Sequence, residues 1–178
     1  MKVFIIRHGR VNYKWSTLCS SGTFDKECSE YDKAPLMKAA MQSGIEEQPM
    51  IYISSLRRSR ETAEKLWPDA DYIETYLVNE VPLCAGFVTK WLIPLWIWNI
   101  LGRIQWFLNS PRQREGIAET RERAQQFINV LCENNTDSAI ITHGFYMHTL
   151  LKEMKASGFK VNGRHCFYRN EELIIAER

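Results

Sequence analysis

The segment Ile5-Ile6-Arg7-His8-Gly9 decides how this chain is read, because Ala139-Ile140-Ile141-Thr142-His143-Gly144 repeats its form late in the sequence. Each is an apolar run that ends in His-Gly. Such a run reads as a parallel strand buried on both faces, and the polar residues just past its end fall where open α/β sheets keep their ligand crevice. Two histidines can therefore meet at one site. The arginine beside the first suits a negatively charged substrate and points toward phosphate chemistry.

Outward from these segments, residues 2–7 and 50–54 read as strands, and 56–67 as a helix that stops at Pro68, which makes a β-turn-α element. Residues 118–132 place Ala124, Phe127, Ile128 and Leu131 on one helical face; 138–142 follow as a strand. Met147, Leu150, Leu151 and Met154 repeat the helical spacing over 145–155, with Gly158 as the stop. Residues 159–169 and 173–176 read as closing strands, with turns at Asn162-Gly163 and Asn170-Glu171. The pattern predicts an α/β fold: one three-layer α/β/α domain over residues 1–178, with a mostly parallel central sheet.

Two stretches differ in character. Residues 12–35 are polar and predict a long loop near His8. The other is an insertion at about 87–112 whose core, 87–108, carries Trp91, Trp96, Trp98 and Trp106. Its uninterrupted apolar run is shorter than the ~20 residues of a membrane span, and Lys90, Pro94 and Arg103 also argue against insertion into a bilayer. It reads as a Trp-rich helical insertion near the site, packed on the sheet, with a substrate-covering lid or a hydrophobic docking surface as the alternatives.

A chain of 178 residues is near the size of one domain, and 45% hydrophobic residues suffice for its core. A net charge of +2 is too near neutral for a general binder of nucleic acid or acidic membranes, so anion recognition has to be local. The five cysteines, at 19, 28, 84, 132 and 166, form an odd set without CxxC spacing, which indicates neither a disulfide framework nor a zinc knuckle. A reducing cytoplasm is expected, and with a strand starting at residue 2, secretion is not. His148, five residues after His143, and His165 beside Cys166 lack metal-ligand spacing, so no metal is assigned.

A third element, Ser54-Ser55-Leu56-Arg57-Arg58-Ser59-Arg60-Glu61-Thr62-Ala63, lies at another strand-to-helix junction. Cations at a helix start oppose its dipole, and three arginines there ask for an anion that a bound phosphate would supply. Gly144 likewise opens a helix whose free N–H groups favour an anion.

These pieces, in this order, resemble the histidine phosphatase superfamily, the phosphoglycerate-mutase-like enzymes, in their short bacterial-type phosphatase branch. The superfamily's pattern is a first strand ending in Arg-His-Gly, then Ser-x-Leu-x-Arg-[Ala/Ser]-x-x-Thr-Ala, then an acid, then a late His-Gly. The resemblance implies that His8 is the nucleophile and becomes a phosphohistidine, with Arg7, Arg58 and His143 holding phosphoryl oxygens and Gly144 at the phosphate. It implies Glu80 as the proton donor, with Glu74 a less well placed competitor. An unprotonated imidazole can attack phosphorus if an acceptor fixes the proton on its other nitrogen, and the Gly9 carbonyl can be that acceptor.

The chain departs from the pattern where Val11 and Lys14 replace a Thr and an Asn, and where Leu83-Cys84-Ala85-Gly86 stands in place of Gly-x-Trp-Glu-Gly. Arg10, Lys14 and Trp91 are candidates for the substrate pocket; Arg57 and Arg60 could extend it, and Arg123 reads as structural. The expected activity is metal-independent, cofactor-free hydrolysis of a small phosphorylated metabolite. A phosphomutase of the same kind and a non-catalytic phospho-ligand module are the alternatives; oligomeric state is left open.

Overall fold

The computed structural model describes residues 1–38, 45, 49–162 and 167–178. In chain order the elements are β1 (Lys2–Arg7), β2 (Leu18–Cys19), α1 (Ser21–Lys33), β3 (Met50–Ile53), α2 (Arg57–Leu66) and β4 (Tyr72–Glu74). After a 3-10 turn at Tyr76–Val78 come β5 (Ile93–Pro94), α3 (Leu95–Phe107), α4 (Ile117–Asn134), β6 (Ser138–Thr142), α5 (Gly144–Ala156), β7 (Lys160–Val161) and β8 (Leu173–Glu177). The main sheet has the order β4-β3-β6-β1-β8-β7. Its β4, β3, β6 and β1 run parallel, while β8 and β7 join antiparallel.

The apolar runs are continuous because both sheet faces are covered. Alternation sends Val3, Ile5, Tyr52 and Ile140 to a cluster with Phe127, Ile128 and Leu131 of α4 and Met147, Leu150 and Met154 of α5. Phe4, Ile51, Ile53, Ala139 and Ile141 point the other way, to Ala63 and Leu66 of α2. This is the three-layer α/β/α arrangement. The parallel register sets Arg7 beside Thr142, and the His8 N–H donates to the Thr142 carbonyl at 2.9 Å, so the two His-Gly strand ends lie side by side.

Three expectations change. Residues 12–35 are not one loop: they hold β2 and α1, whose first turn is capped by Ser20 Oγ accepting the Thr23 N–H. The helix is cryptic in sequence because it buries only Ser21, Phe24 and Glu27, which make no apolar stripe. Among the described residues of 159–169, Lys160–Val161 pairs with β8; His165, Cys166 and the second half of the Asn162-Gly163 turn lie outside the described residues. At Asn170-Glu171 a turn does form, with Glu171 at φ 66° and its N–H on the Arg7 carbonyl.

The third concerns the insertion, which is helical only in α3 and is anchored at two places, Trp106 in the main core cluster and Trp98 in a separate one. The ribbon β2-β5 leads into it. Trp98 is fully buried with Cys19, Phe24 and Ala85, its indole N–H on the Cys19 carbonyl at 3.0 Å. Trp106 donates to Thr120 Oγ1 at 2.9 Å and meets the Phe145 ring edge-on. At Gly102 a Cβ would stand 2.5 Å from the end of the Leu83 side chain, so a larger residue there would make that leucine shift.

Candidate active site

A cavity of about 480 Å3 opens past the ends of β1, β3 and β6, and Arg7, His8, Arg58 and Glu80 are among the residues lining it. His8 is nearly inaccessible to solvent, and its Nδ1–H donates to the Gly9 carbonyl at 2.7 Å, the acceptor expected from sequence. Burial first, and the Arg58 charge second, depress its pKa to about 3, so the ring is neutral with its lone pair on Nε2. Thr62 ties two motifs together: its Oγ1 accepts the Gly9 N–H at 3.0 Å and donates to the Arg58 carbonyl at 2.6 Å.

Arg58 is buried, with Nη1 on Asp32 Oδ1 at 2.8 Å, Nε donating to His143 Nδ1 at 3.1 Å, and its guanidinium 5.0 Å from the centre of the Tyr31 ring. Arg7 donates from Nη1 to the Tyr168 carbonyl, and its buried Nε has no hydrogen-bond partner among the described residues. It lies against Gly144, where a Cβ would come within 2.8 Å of Arg7 Nε. A glycine at the start of α5 therefore makes room for the arginine. Arg7 and Arg58 thus bring two guanidinium groups to the cavity beside His8, with Arg58 paired to Asp32 and Arg7 Nε left without a partner among the described residues.

His143 lies beside these groups rather than at the cavity. Its ring centroid is 4.9 Å from that of His8, but the residue does not line the cavity. Arg58 donates to Nδ1, which fixes the proton on Nε2, and Nε2–H donates to Ser54 Oγ at 2.6 Å. Burial, then Arg58, holds its pKa well below the usual imidazole value. Both nitrogens face protein, so in this arrangement His143 orients Arg58. Ser54, the first residue of the second motif, also accepts the Leu56 N–H at 3.1 Å and so shapes the turn into α2.

Glu80 takes the helix start that Gly144 opens. Its Oε1 accepts the N–H groups of Val81 and Tyr146 at 3.0 Å each, and Oε2 meets the Phe145 N–H at 3.4 Å. The group that caps the α5 N-terminus is therefore the Glu80 side chain, and Gly144 itself does not line the cavity. Arg123 holds the preceding loop: Nη1 donates to the carbonyls of Tyr76, Leu77 and Asn79, and Nη2 pairs with Glu115 at 2.9 Å. Its structural reading from sequence agrees with these contacts. Glu74 instead pairs with Arg60 on the surface, away from the cavity.

The three arginines of α2 do not share one anion. A helix turns each successive side chain by about 100°. Arg57 accordingly pairs with Glu61 at 2.5 Å, Arg60 with Glu74 at 2.5 Å, and only Arg58 points into the cavity. The pocket candidates Arg10, Lys14 and Trp91 are exposed and line no part of it. Next to Lys14 it is Trp15 that lines the cavity, and Trp91 stands exposed in the segment that leads into β5.

The lining that sequence reading missed comes from α1 and α3. Asp25, Cys28, Ser29 and Asp32 sit at i, i+3, i+4 and i+7, a helical spacing that was present but polar. Burial first, and Asp25 second, raise the Cys28 pKa to about 12, which favours the thiol over the thiolate. From α3 come Asn99 and Arg103, the latter 3.6 Å above the Phe145 ring. Among the described residues no group of His, Cys, Asp and Glu could hold a metal ion.

No family model and no curated protein matches the chain. Solved structures do. A phosphoserine phosphatase from Entamoeba histolytica, in complex with phosphoserine, superposes with a TM-score of 0.60 at 18% identity, over 98% of this chain and 89% of that one. A mycobacterial glucosyl-3-phosphoglycerate phosphatase gives 0.59 at 15% identity, over 98% and 88%. A Thermus thermophilus protein gives 0.60 at 18%, over 98% and 92%. The chain thus shares its fold with these solved structures, and its segments Arg7-His8-Gly9, 54–63 and Thr142-His143-Gly144 stand at the ends of β1, β3 and β6.

Proposed function

We propose that the protein is a metal-independent phosphatase that hydrolyses a small phosphomonoester through a phosphohistidine on His8. One observation carries the reading: a buried imidazole, its Nδ1–H fixed on the Gly9 carbonyl, stands in a cavity it shares with Arg7, Arg58 and Glu80. His8 Nε2 attacks phosphorus in line while the phosphorus–oxygen bond to the leaving group breaks. The arginines neutralise the charge spread over the equatorial oxygens. Glu80 gives its proton to the departing oxygen; Oε2, held only by the long contact to Phe145, is the oxygen free to carry it. In the second half Glu80 takes a proton from water, the water oxygen attacks phosphorus, and the bond to Nε2 breaks to release phosphate. The fold shared with phosphatases of phosphoserine and glucosyl-3-phosphoglycerate supports a small phosphorylated metabolite as substrate. The reading includes a cytoplasmic setting, which the free thiols of Cys19, Cys28, Cys84 and Cys132 support.

The test is a panel of phosphomonoesters given to wild type and His8→Ala with and without a chelator. Turnover by the wild type should be unchanged by the chelator and lost by at least ~1000-fold in His8→Ala. Activity that survives the substitution rejects the nucleophile, and activity lost on chelation rejects the metal-free route. Glu80→Gln should slow esters with poor leaving groups by roughly 100-fold or more and aryl esters much less. Equal slowing of both removes Glu80 as the acid.

A further inference from the structure

Helix α3 carries two apolar stripes two residues out of phase, hence on opposite sides. The inner stripe, Trp98, Gly102 and Trp106, is buried. The outer one, Trp96, Ile100 and Ile104, is 62%, 52% and 50% exposed, and Phe107 extends it. Trp91, 79% exposed in the segment leading into β5, adds a second bare indole. An exposed apolar surface of this extent on a chain with an ample buried core marks a contact face.

The charge pattern around the stripe identifies what it meets. No Asp or Glu occurs between Glu80 and Glu115, whereas Lys90, Arg103, Arg112 and Arg114 do. Lys90 precedes the helix and Arg112 and Arg114 follow it, all three exposed. A two-fold contact with a second copy would set these cations against themselves without a carboxylate from the same stretch. A lipid surface bearing anionic headgroups matches both features, with apolar side chains entering the acyl boundary, indoles at headgroup level and cations on the phosphates. At 13 residues α3 is about 20 Å long, too short to span a bilayer but enough to lie along one.

We propose that the outer face of α3, with Trp91, docks the protein on the surface of an anionic phospholipid bilayer. Asn99 and Arg103 of the same helix line the cavity, so docking would bring the site close to that surface. The inference is independent of hydrolysis, and its test uses binding alone.

The purified full chain is sedimented with vesicles of equimolar phosphatidylglycerol and phosphatidylcholine, and with phosphatidylcholine alone. Expected is binding to the anionic vesicles at least roughly tenfold stronger than to the neutral ones, weakened by salt and accompanied by a blue shift of tryptophan emission. The double variant Ile100→Glu, Ile104→Glu should lose at least tenfold, and Lys90→Glu several-fold, with unchanged urea midpoints. Trp91→Ser, outside the helix, supplies an independent loss. The proposal is overturned if the wild type stays in the supernatant at all lipid concentrations, or if these substitutions leave binding unchanged. It is equally overturned by a dimer that Ile100→Glu dissociates in a protein without affinity for vesicles.

Discussion

His8 and His143 have the same local setting, each at the end of a buried strand and followed by glycine, yet their partners give them different work. His8 has one nitrogen fixed by its neighbour's carbonyl and stands at the cavity; His143 has both nitrogens on Arg58 and Ser54. Arg58 in turn is held by Asp32, a carboxylate that occupies the guanidinium where a phosphoryl oxygen would bind. Asp32 is about half exposed, so the pair is screened, and its rupture costs little. Asp32→Asn is therefore expected to tighten inorganic phosphate binding by roughly two- to fivefold, the equivalent of an exposed ion pair. Competitive inhibition by phosphate measures it, and unchanged or weaker inhibition would show that the carboxylate does not compete for Arg58.

At the scale of elements, the helices that were legible are those whose apolar period faces the sheet. For α4 and α5, residues at i, i+3, i+4 and i+7 meet β1, β3 and β6, so packing and pattern coincide. Helix α1 was illegible because it presents polar groups to the cavity and buries a single large apolar side chain, Phe24, against Trp98, which leaves no apolar stripe to read. Helix α3 was legible as a helix but not in its placement, since apolar stripes on two opposite sides do not reveal which one is inside. The structure selects Trp98. Trp98→Ala should cost about 3–5 kcal/mol of stability, the range for emptying a core site of this size, read as a shift of the urea midpoint. A loss below ~1 kcal/mol would mean that α3 is not anchored through this indole.

The whole molecule keeps two imidazoles neutral in its interior, and this makes its stability depend on pH. The folded pKa of His8 is about 3 and that of His143 is also depressed, against about 6.5 in an unfolded chain. Below pH 6.5 the unfolded chain binds protons that the native state refuses, so the stability is complete above about pH 6.5 and falls as pH drops toward 3. The slope approaches ~1.4 kcal/mol per pH unit for each histidine. Urea midpoints from pH 7.5 to 4.5 should fall accordingly, and His8→Gln should remove its share of the slope. A midpoint independent of pH, or an unaltered slope in the variant, contradicts the buried neutral state. Sequence by itself determined the layers, the parallel strands and the residues at their ends, because apolar periodicity and strand-end motifs are local properties of the chain. Only tertiary structure decided that His143 serves Arg58, that Glu80 caps α5, and that Arg58 alone among its neighbours enters the cavity. Those outcomes depend on the direction in which side chains point and on partners distant along the chain, which spacing in a sequence does not encode.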